Sequence, residues 1–145
     1  MLSTVRDMRL TGRRVGDIDV LRRLAIFRFC PDDELRAARA LMPPVTIAAR
    51  STVVTEGDPA REFFIIERGC AQVLHSGEPI AELGAGDFFG EVGLIDGQSR
   101  TATVDAVSDL GLFVQVDREF DAMLRRCPTV TRNVMRAMAR RLRAA

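Results

Sequence analysis

Between Val45 and Asp117 the chain never holds one direction for long. Short alternating segments read as strands at Thr52-Val53-Val54, Phe63 to Glu67, Cys70 to His75, Ile80 to Leu83, Thr101 to Val107 and Leu112 to Val116. Gly57-Asp58-Pro59, Arg68-Gly69, Ser76-Gly77 and Gly84-Ala85-Gly86-Asp87 punctuate them. Many short strands joined by tight turns predict a sandwich or roll.

Both ends read as helical. Asp17 or Asp19 can cap a first short helix carrying Val20, Leu21, Leu24 and Ile26. Pro31-Asp32-Asp33-Glu34 starts another, with the acids at the positive helix end. Leu35, Ala38 and Leu41 would face a core, and Pro43-Pro44 stops the helix. Asp117 can cap a third, with Phe120, Met123 and Leu124 apolar, until Cys127-Pro128 interrupts it. Pro128 opens the last helix. Its apolar stripe is Val130, Val134, Met138 and Leu142, with Met135 beside it; Arg132, Arg136, Arg140 and Arg143 occupy the other face.

The 145 residues fit one domain with one real core. A net charge of +1 names no partner, and every basic residue except His75 is arginine, which fits a GC-rich genome such as many bacteria have. No apolar run is long enough to cross a bilayer, and Met1 to Val15 lacks a signal-peptide core. Cys30, Cys70 and Cys127 match neither a disulfide framework nor a zinc spacing, so buried reduced thiols are expected. His75, the only histidine, sits in an alternating segment and reads as a strand residue, so neither a metal site nor a catalytic base is expected.

The chemistry concentrates in Phe89-Gly90-Glu91-Val92-Gly93-Leu94 and, beyond a short turn, Arg100-Thr101-Ala102. An ionised Glu91 only accepts hydrogen bonds, as a sugar hydroxyl requires. Arg100, nine residues on, can grip a phosphate through its planar fork. Backbone N–H groups from Gly90 to Leu94 can complete the cradle if a short helix begins there.

This stretch resembles the phosphate-binding cassette of the cyclic nucleotide-binding domain family. The family reads F-G-E, an aliphatic, a small residue and Leu, then a turn, then Arg, a small hydroxyl or Ala, and Ala. Glu56-Gly57-Asp58 and Phe63-Phe64-Ile65-Ile66-Glu67-Arg68-Gly69 resemble the family's E-G-D and hairpin segments. Two departures stand out: Ala48-Ala49-Arg50 replaces a frequent glycine turn, and Ser99 a frequent proline. The resemblance implies an antiparallel β-roll with N-terminal helices and two C-terminal helices, residues 19–145 forming the domain and 1–18 an extension. It implies a ligand site of Val73, Phe89, Gly90, Glu91, Val92, Gly93, Arg100, Thr101 and Ala102. Val73 would pack under the base and Gly93 would offer its N–H to the phosphate. Thr101 has three readings: strand filler, phosphate contact, or purine contact. The last helix would lie over the base as a lid, with Met135, Met138, Arg140 and Arg141 as candidates.

The expected function is a cytoplasmic sensor of cyclic AMP, with cyclic GMP open through Thr101. Binding is noncovalent, with no catalysis, metal or cofactor, and it acts on an effector outside this chain. A homodimer is also compatible. Rival readings are a module of the same fold that lost its ligand, the sensor half of a transcription regulator, a cupin-like enzyme, and a DNA-binding arginine helix. One histidine is too few for the cupin-like metal site, and near-zero net charge weakens the DNA reading.

Overall fold

The computed structural model describes residues 9–10 and 18–144. Asp17 therefore lies outside the described residues. Every strand pair is antiparallel. One sheet has the order β1 (Arg9–Leu10), β2 (Pro44–Ile47), β9 (Leu110–Val116), β4 (Glu62–Arg68), β7 (Phe88–Phe89). The other has the order β3 (Thr52–Val54), β8 (Thr103–Ala106), β5 (Ala71–His75), β6 (Glu78–Leu83). At the N-terminal side lie α1 (Asp19–Arg22), a 3-10 turn (Ala25–Phe27) and α2 (Asp32–Ala40). A short α3 (Glu91–Asp96) follows β7, and α4 (Asp117–Arg126) and α5 (Pro128–Ala144) close the chain. This is the expected antiparallel β-roll flanked by helices.

Strand β4 shows why the roll has two cores. Its centre, Phe63-Phe64-Ile65-Ile66, is buried on both faces. Successive side chains point to opposite sides of a strand. Phe63 and Ile65 join Leu21, Leu35, Phe120 and Val130 in a core between sheet and helices. Phe64 and Ile66 join Val54, Phe89, Val104 and Leu112 in a second core between the sheets. Phe88 and Phe89 divide the same way, one to each core.

The helical ends differ from expectation in detail. The first helix is only four residues, with Ile18 at its N-cap, and Asp19 pairs with Arg22 instead of capping. Val116, not Asp117, is the N-cap of α4; its N–H donates to the Glu119 carboxylate at 3.0 Å. On α5 the stripe is buried only at Val130 and Val134; Leu142 is exposed and Met138 half-buried. The helix outruns the 3-10 turn it packs on, whose Ile26 carbonyl and that of Arg28 beside it accept from Asn133 in the first half of α5. Arg50 takes a left-handed φ of 71° where the family often has glycine, so the turn persists without one. The thiols are not all buried. Cys70 is exposed at the β4–β5 turn and Cys30 half-buried, while Cys127 is fully buried. Burial pushes the Cys30 thiol up to about 12 and Cys127 to about 11, so both stay protonated at neutral pH.

The start of α5 is fixed by Glu34 of α2. Its carboxylate accepts from the Thr129 N–H and hydroxyl, each at 2.9 Å. An acid at a helix N-terminus satisfies orphan donors and meets the dipole. Glu34→Ala is expected to lower unfolding free energy by about 1–3 kcal/mol, because two charge-assisted bonds in a buried setting are lost. Urea denaturation checks this, and an unchanged midpoint would contradict it.

Candidate functional site

The turn from β7 into α3 carries the site. Gly90 sits at the N-cap of α3 with φ 96°, a left-handed value that favours glycine. Reversing there brings Glu91 into the first helical turn, where its side chain is buried (1% exposed). Arg100, just before β8, is also buried (6% exposed). Its Nη1 donates to Gly90 O at 3.1 Å and its Nη2 to Glu62 O at 2.8 Å. The Glu62 carboxylate lies 3.6 Å from Nη2. The guanidinium also sits 5.8 Å above the Phe64 ring, which stacks on Phe89 at 4.8 Å. The interior core is thus the floor on which Arg100 is laid.

These side chains open on a cleft of about 450 Å³. Val73, Phe89, Gly90, Glu91, Val92, Gly93, Arg100, Thr101 and Ala102 all line it. Thr101 is exposed at its rim, and His75 Nδ1 lies 3.2 Å from the Thr101 carbonyl. The four lid candidates separate. Arg141 lines the cleft. Met135 points to solvent, Met138 packs on the helix-side core, and Arg140 lines a neighbouring hollow. Successive residues of a helix face different ways, so only one side of α5 can meet the cleft.

Sequence reasoning missed Ile80, Ala81 and Leu83 of β6, Val54 of β3, and Ala144 as lining residues. Ile80 is a large apolar side chain left 62% exposed on an edge strand, and alternation along β6 could have flagged it. It also missed the partner of Glu91. Arg141 Nη1 donates to Glu91 Oε1, Arg141 Nη2 donates to Phe88 O at 2.9 Å, and the guanidinium lies 4.9 Å over the Phe88 ring.

Burial raises the Glu91 carboxyl above its ordinary range, opposed first by Arg141, then by the Glu91 backbone N–H, and last by Arg100. Burial also lowers the Arg100 guanidinium, while Glu62, Glu91 and Asp58 pull the other way. Glu91 Oε2 is buried with no hydrogen-bond partner. The wall therefore carries an unpartnered acceptor beside a cation whose hydrogen bonds go to two carbonyls and whose nearest carboxylate, Glu62, stands 3.6 Å away. Such a wall suits a ligand carrying both a donor and an anion. Among the described residues no group of three His, Cys, Asp or Glu side chains is placed to hold a metal ion, and no helix is long and apolar enough to cross a membrane.

A roll of two antiparallel sheets, with one acid and one arginine buried in a glycine turn, defines a ligand-binding module. Residues 44–127 match the model of the cyclic nucleotide-binding domain. The chain belongs to that family. It is 30% identical over 107 residues to a cyclic nucleotide-gated potassium channel of Rhizobium etli, covering 74% of this chain and 30% of the channel's length. It superposes on the N-terminal domain of a transcriptional regulator from Streptomyces coelicolor with TM-score 0.68 and 31% identity, covering 87% of this chain and 94% of that one. The catabolite activator protein of Thermus thermophilus gives TM-score 0.75 at 27% identity, covering 83% of this chain and 59% of that one.

Proposed function

We propose that this domain is a cytoplasmic sensor that binds cyclic AMP in the cleft, without chemistry, and passes the event to an effector through α5. The observation that carries the reading is the pairing of Glu91 and Arg100 on the cleft wall. Glu91 Oε2 is a buried acceptor without a donor, and the buried Arg100 hydrogen-bonds only carbonyls, its ion-pair partner Glu62 standing off at 3.6 Å. A sugar hydroxyl and a cyclic phosphate on one molecule answer both. An unpaired buried polar group costs free energy that a matching ligand recovers.

Val73 on β5 and Ile80 on β6 line the apolar part, where a purine would lie. The signal is a population shift: the ligand must favour one placement of α5 over another. A several-fold response needs a coupling of about 1–3 kcal/mol. The relatives suggest the kind of effector, a channel in one and a transcriptional regulator in another.

Cyclic GMP is the second ligand to test, because the Thr101 hydroxyl stands at the cleft rim. Calorimetric titration with both nucleotides tests the function. Saturable binding of cyclic AMP supports it; no binding of either at millimolar concentration leaves the ligand-free interaction module. Thr101→Ala should lower cyclic GMP affinity more than cyclic AMP affinity, by about fivefold for one lost neutral hydrogen bond. An equal loss for both nucleotides would assign Thr101 to the phosphate alone.

A further inference from the structure

Helix α5 is held along its first half, where Asn133 donates to the Ile26 and Arg28 carbonyls at 2.9 Å, and is exposed along its last turns. Glu34 ties down Thr129, and Val130 and Val134 are buried, but Met135 and Leu142 are exposed. Near its far end Arg141 turns back to Glu91, to the Phe88 carbonyl and to the Phe88 ring. The contact is asymmetric: the Arg141 side chain is 47% exposed and that of Glu91 1%. Arg141 occupies Oε1 and leaves Oε2 with no partner. A guanidinium competing with the ligand for the whole carboxylate would take both oxygens in a fork. Here it takes one and spends its second nitrogen on a backbone carbonyl.

We propose that Arg141 is a positioning residue for sugar recognition: it fixes the Glu91 carboxylate by Oε1 and leaves Oε2 for the sugar hydroxyl, so the sugar half of the site is complete only while α5 is docked. The inference rests on the cyclic nucleotide reading of the cleft. Ligand and α5 then favour one another reciprocally.

The charge environment gives a second signature. Arg141 from α5 and Arg100 from the loop before β8 face Glu91; Glu62 of β4 and Asp58 act on Arg100 in turn. Without Arg141, burial of Glu91 is opposed only by its own backbone N–H and by Arg100. Glu91 then takes up its proton at higher pH, and the charged acceptor is lost sooner on acidification.

The test is titration of the whole chain with cyclic AMP and its 2′-deoxy analogue, from about pH 5 to about pH 8. Wild type, Arg141→Gln and Arg141→Lys are compared. Arg141→Gln is expected to weaken cyclic AMP about tenfold and the 2′-deoxy analogue much less, so discrimination between them shrinks. Its affinity should also fall off at higher pH than that of wild type, and Arg141→Lys should restore part of both. Tighter binding of cyclic AMP by Arg141→Gln would mean that Arg141 competes with the sugar, and would overturn the proposal. Equal weakening of both ligands with an unchanged pH profile would reduce Arg141 to a packing contact, and would also overturn it. Failure of wild type to bind either nucleotide would remove the function and this inference together; the preceding two outcomes remove the inference alone.

Discussion

Arg100→Ala should abolish tight cyclic nucleotide binding and leave the fold standing. The guanidinium is buried, hydrogen-bonds the Gly90 and Glu62 carbonyls, and has the Glu62 carboxylate 3.6 Å away. In the free domain these bonds offset a desolvation cost, the burial that lowers the Arg100 pKa. Removing the side chain loses the bonds and the cost together but leaves the half-buried Glu62 carboxylate without its cation, so stability should fall by about 1–3 kcal/mol with the fold retained. A bound phosphate has no such substitute. Losing a buried charge-assisted contact costs about 2–5 kcal/mol, or roughly thirty- to several-thousand-fold in affinity. Titration and thermal unfolding of the same variant decide it. Undiminished affinity in a folded Arg100→Ala protein would detach Arg100 from the ligand. Glu91 shares the wall, but its role divides between Arg141 and the unpartnered Oε2, so its loss is harder to read.

What the sequence made legible was local. Glu91 and Arg100 are nine residues apart, and one glycine turn brings them to a single wall. The longer strands were equally plain, because alternation over five or more residues has a clear period. Strand β7 is only Phe88–Phe89, too short to show any period, and Phe89 reads as the opening of the glycine turn that follows. Strand β2 was hidden because Pro44 read only as a helix stop. It also opens the strand, the position where a missing N–H does no harm. The Arg141–Glu91 contact spans fifty residues and depends on how α5 is rotated. Periodicity marks which face of that helix is apolar, but not how far its neighbours extend. Met138 and Leu142 share a stripe with Val134, and only Val134 is fully buried. Arg141 had to be one name among several arginines until the partner surface was known.

Gly90→Ala should damage stability and binding at once, because fold and site meet in that residue. With φ 96°, the backbone at Gly90 is strained for any residue with a Cβ, at a cost of about 1–3 kcal/mol. The added methyl would also stand 2.7 Å from Arg100 Nη1 and 2.8 Å from the Glu62 carbonyl. The carbonyl belongs to β4 and cannot yield, so the guanidinium must move off its two acceptors. With the overpacking included, stability should fall by about 2–4 kcal/mol. The phosphate grip should be lost nearly as fully as in Arg100→Ala. Gly97 supplies the control. It ends α3 with φ 72°, and a Cβ there meets nothing within 4 Å. Gly97→Ala should therefore cost only the backbone strain, about 1 kcal/mol, and leave affinity intact. Denaturant unfolding and nucleotide titration of the two variants side by side separate strain from displacement. Equal affinity in both would show that Arg100 keeps its grip despite the methyl, and that the turn is less tight than its geometry.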